Sequence, residues 1–173
     1  MKSICLSLLL LAMWLICLLP ATAQTTSGEI GRGVLSTRHR ENGVDNYPYA
    51  TFSFEFGGNG PEIQATCHND WDLLFGNSPI LDAFDVTMVT DDRSRIRDLG
   101  NYGWTDQFEI PRLPAYEEPE REPSVKAIVG HMYLVHTRDR ETDLYALFRV
   151  EKLDSTRSVE ITWKVIPAPP KRH

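Results

Sequence analysis

The chain has 173 residues, of which 42% are hydrophobic and 24% charged, a globular balance that excludes a disordered or collagen-like protein. Its 18 Lys and Arg stand against 24 Asp and Glu, a net charge of −6. General nucleic-acid binding, which rests on a positive excess, is thereby excluded.

Lys2 is the only charge before Glu29, and residues 4–19 (ICLSLLLLAMWLICLL) form one apolar block closed by Pro20 and the small-residue pattern Ala21-Thr22-Ala23. That is the three-part layout of a secretory signal peptide with an A-x-A cleavage site. The block is 16 residues long, where a membrane span needs about 20. Residues 1–23 are therefore expected to be removed, leaving a secreted or periplasmic chain that starts at Gln24, carries a net charge of −7 and keeps no hold on the membrane. Ile16 is too bulky for the position before a lipidated Cys17. Cleavage also removes Cys5 and Cys17, so Cys67 alone remains and no internal disulfide can form.

Residues 24–46 are polar, hold Gly28, Gly31, Gly33 and Gly43 and show no sustained period, which predicts a flexible lead-in with at most one short strand. A single β-domain is expected over 47–166. Phe52, Phe54 and Phe56 alternate with Ser53 and Glu55, and Ile63, Ala65 and Cys67 alternate beyond the turn signal Gly57-Gly58-Asn59-Gly60-Pro61. This predicts a hairpin with Phe52 opposite Cys67, placing the thiol in the core as a small hydrophobe. Residues 80–90 read as a third strand, 91–99 as a short helix ended by Gly100, and 107–110 as another short strand. The stretch 111–124, with four prolines and Glu117, Glu118, Glu120 and Glu122, reads as an acidic, solvated loop.

The C-terminal part alternates over 125–137, 142–151 and 158–166. A four-residue loop at 138–141 sets Val135 opposite Leu144, Tyr133 opposite Ala146 and His131 opposite Phe148. The next turn sets Phe148 opposite Ile161, Ala146 opposite Trp163 and Arg149 opposite Glu160. The result is a three-stranded meander with one apolar face that must pack on the aromatic hairpin. The fold class expected is all-β, a small antiparallel sandwich or partly open barrel, with residues 167–173 as a loose tail.

His131 and His136 are five apart on a strand, so they point to opposite faces and share no metal. The aspartates around 70–92 lack calcium-loop spacing, so neither a metal nor a cofactor is expected. His136 and Asp143 face each other across the first C-terminal hairpin, an arrangement suited to a general base or to a plain surface ion pair. With Arg138, Asp139, Arg140 and Tyr145 they make the densest polar cluster in the chain. Trp71, Tyr102, Trp104 and Tyr133 are candidates for a carbohydrate platform, though aromatics in a small β-domain belong more often to its core. No phosphate loop, nucleophile elbow or dinucleotide fingerprint occurs. The sequence thus points first to an exported, non-catalytic domain that binds a protein, glycan or envelope component. The alternatives are a small hydrolase using His136 and Asp143, and a structural assembly protein that pairs through a free edge of the meander.

Overall fold

The computed structural model describes residues 28–38, 45–66, 71–77, 82–86, 94–113, 124–138 and 142–170. Along these residues the elements follow as β1 (Gly31–Ser36), α1 (Tyr47–Ala50), β2 (Thr51–Phe52), α2 (Pro61–Thr66), β3 (Leu73–Phe75), β4 (Ala83–Asp85), β5 (Arg95–Asn101), β6 (Ser124–Lys126), β7 (His131–Arg138), β8 (Asp143–Asp154) and β9 (Ser158–Ile166). They build two antiparallel sheets, one ordered β1-β9-β8-β7-β5 and the other β2-β3-β4-β6. Between them lies a core of Phe52, Phe54, Phe75 and Phe84 from one side and Tyr133, Val135, Ala146, Phe148, Ile161 and Trp163 from the other. The fold is an all-β sandwich, as the alternating pattern predicts.

The large sheet is apolar on both faces. Met132, Leu134, Tyr145 and Leu147 point away from the sandwich core and are covered by Tyr102, Trp104, Phe108, Ile110 and Leu113. Two hydrogen bonds tie this covering segment down: Trp104 Nε1 donates to Thr162 Oγ1 at 2.9 Å, and Arg149 Nε donates to the Tyr102 carbonyl at 3.0 Å. Residues 107–110, expected to be a strand, are instead part of this non-strand cover.

Three further expectations are corrected. The aromatic hairpin does not form, because 61–66 is a helix. Pro61 stands at its first position, where a missing N–H costs nothing, and the Gly60 carbonyl accepts Gln64 N at 2.9 Å. A two-residue period over so short a run does not separate strand from helix. Phe52 lies opposite Leu73 instead, and the chain turns at 54–57, leaving Phe56 exposed. Cys67 lies outside the described residues. Of the helix expected near 91–99, residues 95–99 belong to strand β5, because cross-strand pairing with β7 overrides a weak local capping signal; 91–93 lie outside the described residues. Gly100 does adopt a left-handed backbone (φ +99°), but it sits at a β-bulge next to Leu99, with its N–H donated to Asp98 Oδ1 at 2.8 Å. Finally, the meander register slips by two. Val135 faces Ala146, Tyr133 faces Phe148, and Phe148 faces Trp163. Ala146 faces Val165, and Arg149 faces Thr162 while Glu160 pairs with Lys152 at 3.2 Å. A bulge between Val150 and Lys152 shifts the rest of β8.

The lead-in contributes one strand, β1, which pairs with β9. Since β5 covers β7, neither outer strand of the meander is a free edge; the edges of the large sheet are β1 and β5. The edge at β1 is partly closed, because Asn59 Nδ2 donates to the Val34 carbonyl at 2.7 Å.

Candidate functional site

The hairpin joining β7 and β8 closes with Arg138 opposite Asp143, so its loop is residues 139–142. Sliding a four-residue loop by one position moves the register by two and leaves every side chain on its expected face. His136 therefore lies directly opposite Tyr145 and only diagonally from Asp143, yet the contact forms: His136 Nε2 is 2.8 Å from Asp143 Oδ1. Arg138 Nε approaches the other carboxylate oxygen at 3.8 Å.

The two partners differ in surroundings. The His136 side chain is 12% exposed and its ring lies 4.0 Å from that of Tyr145, with planes 11° apart. Asp143 is 64% exposed, where water and salt screen its charge. Tyr145 is buried, and burial is what raises its phenol pKa above the usual value. The positive charges of Arg112 and Arg138 oppose that rise and Asp143 adds to it. The hairpin is anchored at two points: Arg138 N donates to Ser94 Oγ at 3.0 Å, and Thr142 Oγ1 donates to Glu55 Oε2 at 2.9 Å. Of the expected cluster, His136, Arg138, Asp143 and Tyr145 come together; Asp139 and Arg140 lie outside the described residues.

The outer face at this end holds three arginines that the sequence reading missed. Ile96 is buried in the sandwich core, so its neighbours Arg95 and Arg97 point to the outer face, with Arg95 paired to His136 and Arg97 to Leu134. Arg112 lies in the covering segment, and its positive charge lowers the Tyr145 pKa. A helical reading of 91–99 spread Arg95 and Arg97 around a cylinder; the alternation Arg95-Ile96-Arg97, read as a strand, puts the two on one face.

His131 is engaged elsewhere, its Nδ1 lying 2.9 and 3.0 Å from the two oxygens of Asp98 at the opposite end of β7. Among the described residues no three His, Cys, Asp or Glu side chains are placed to hold a metal ion. Trp71 and Tyr133 are buried, whereas Tyr102 and Trp104 are half-buried in the outer cover, so the four aromatics form no common platform. No helix among the described residues is long and apolar enough to cross a membrane.

Compared with protein-family models, with curated proteins and with solved structures, the chain matches none.

Proposed function

We propose that this chain is an exported, non-catalytic β-sandwich that binds a protein, glycan or envelope component through the β7–β8 hairpin end. The observation that carries the reading is the anchored hairpin, which presents Arg138 and Asp143 to solvent on a frame fixed by Ser94 and Glu55. Strand ends held in place, as at Arg138 and Thr142, supply polar contacts at small ordering cost. Loss of the leader at Ala23 places that surface outside the cytoplasm.

The hydrolase reading draws on the 2.8 Å contact between His136 and Asp143. The exposure of Asp143 weighs against it, since a screened carboxylate holds an imidazole weakly. One experiment separates the two. The chain from Gln24 onward is tested for binding to envelope polysaccharides and proteins and for turnover of ester, phosphoester and peptide substrates. Saturable binding that R138E removes from a folded protein, without turnover, supports the binding module. Turnover lost equally in H136A, D143A and the double variant establishes the hydrolase instead, because residues acting as a unit are non-additive.

A further inference from the structure

Strand β1 is an edge of the large sheet, and its own sequence does little to protect it. Leu35 is fully buried, and Gly31 and Gly33 share its face. There is no room for a side chain at either glycine: a Cβ at Gly31 would lie 2.6 Å from the Trp163 indole, and one at Gly33 2.6 Å from the Phe52 ring. An inward-pointing charge, a common defence of edge strands, therefore has no place on this strand. The other face carries Val34 and, just before the strand, Ile30, which are 55% and 45% exposed, with the exposed Arg32 between them.

Protection comes from the turn between β2 and α2. Asn59 Nδ2 donates to the Val34 carbonyl at 2.7 Å, from the side of β1 away from β9. In an antiparallel strand the N–H and C=O of one residue point to the same side, and residues two apart repeat that direction. The Asn59 amide thus stands in the middle of the row formed by the backbone groups of Arg32, Val34 and Ser36, where a further strand would pair. Its position is set by its own turn. Ser53 and Gly58 exchange backbone hydrogen bonds at 2.8 and 3.1 Å, Gly60 N donates to the Pro48 carbonyl at 2.7 Å, and Asn59 Nδ2 also donates to the Tyr49 carbonyl at 3.2 Å.

We propose that Asn59 is a guard that keeps β1 from pairing with β1 of a second copy of this chain. The inference is independent of what the hairpin end binds. A second copy fits the edge because an antiparallel pair of identical strands is its own complement about a twofold axis. Centred on Val34, the pairing sets Val34 opposite Val34 and Arg32 opposite Ser36, so no like charges meet within β1. The central pair would exchange two hydrogen bonds through the Val34 N–H and C=O, and Asn59 holds that carbonyl in each copy. Of the five large hydrophobics exposed among the described residues, Ile30, Val34, Tyr49 and Phe56 lie beside or along β1 or on the segments that hold Asn59, so pairing here also removes apolar surface from water.

The test measures the mass of the chain from Gln24 onward by sedimentation equilibrium, from micromolar to millimolar concentration. The natural chain is expected to keep the monomer mass. N59A is expected to self-associate at least about tenfold more tightly, its mass rising towards that of a dimer, and its Arg32, Val34 and Ser36 amides gaining protection from hydrogen exchange as concentration rises. N59A/V34K is expected to return to the monomer, because Val34 is exposed and lysine there opposes like charges across the pair. N59D keeps the size of Asn59 and loses its donor; it is read in the same way should N59A lower the thermal midpoint. N59A and N59D that both stay monomeric throughout overturn the proposal. Association that persists unchanged in N59A/V34K places the contact elsewhere and overturns it too, as does a natural chain that pairs as tightly as N59A.

Discussion

Phe148 packs ring to ring against Phe84 and Phe54 across the sandwich, so its removal gives a sharp test of the packing. Its ring stacks on Tyr133 at 4.9 Å with planes 12° apart, meets Phe84 edge-on at 5.0 Å and lies 6.1 Å from Phe54. Truncating a fully buried phenylalanine costs about 3–5 kcal/mol, the upper end applying where neighbours from two sheets cannot collapse into the void. With a urea dependence of about 2 kcal/mol per molar, F148A is expected to lower the unfolding midpoint by about 2 M, followed by tryptophan fluorescence. The register is tested by a double-mutant cycle of F148L and Y133L. Directly opposed, stacked rings are worth about 0.5–1.5 kcal/mol beyond their buried area. The loss of the Tyr133 hydroxyl, which donates to the Lys126 carbonyl and accepts from Ile128 N, cancels in the cycle. Additivity of the two substitutions to within about 0.3 kcal/mol would refute the observed pairing of Tyr133 with Phe148.

Other outcomes follow from single sites. G76A places a Cβ in a left-handed backbone (φ +70°) and 2.3 Å from Thr37 Oγ1; a cost of about 2–4 kcal/mol is expected, and an unchanged thermal midpoint would contradict it. Asp85 is buried, its Oδ2 has no hydrogen-bond partner among the described residues, and burial raises its pKa against the lowering effect of Ser124 and Asn77. The unfolded chain therefore ionises at this position first, and the stabilisation present below about pH 3.9 is lost as pH rises through the folded value. D85N should accordingly gain on the natural chain between pH 4 and 7 in urea titrations, and a gap that narrows over that range would reverse the assignment. D143A should change stability by less than about 1 kcal/mol, as expected for an exposed pair. H136A should cost more than D143A, since it also removes the ring stacked on Tyr145; equal costs in chemical unfolding would show that the stacking contributes nothing.

Side-chain parity was legible in the sequence, and pairing partners were not. Tyr133, Val135, Ala146 and Phe148 alternate strictly, which fixes them on one face in any register that differs by two. The slip itself is decided by the stacking of Tyr133 on Phe148 and by the bulge after Val150, neither of which leaves a local trace. Where a segment's fate depends on distant partners, local signals misled. Asp91 and Asp92 resemble helix caps and Gly100 a helix terminator, yet Arg95–Asn101 bonds to β7. The Phe52-Phe54-Phe56 alternation continues past the point where the chain turns, and Pro61 begins a helix where a return strand was expected. The same error hid Arg95 and Arg97, whose common face exists only once β5 is a strand.

The doubly buried sheet also explains why the candidate site lies at the hairpin end. A five-stranded sheet with Met132, Leu134 and Leu147 on its outer face needs a cover, and the segment through Tyr102, Trp104, Phe108 and Leu113 provides one without forming strands of its own. Beyond Leu113 on that face come His136, Arg138 and Asp143, polar residues that have no use for an apolar lid. Tyr145 marks the boundary: its ring is capped by His136 on one side, and it joins the cluster of Leu113 and Leu147 on the other. Arg97 and Arg138 are exposed at this end, and burying an ion costs several kcal/mol even where a partner such as Asp143 stands 3.8 Å from it.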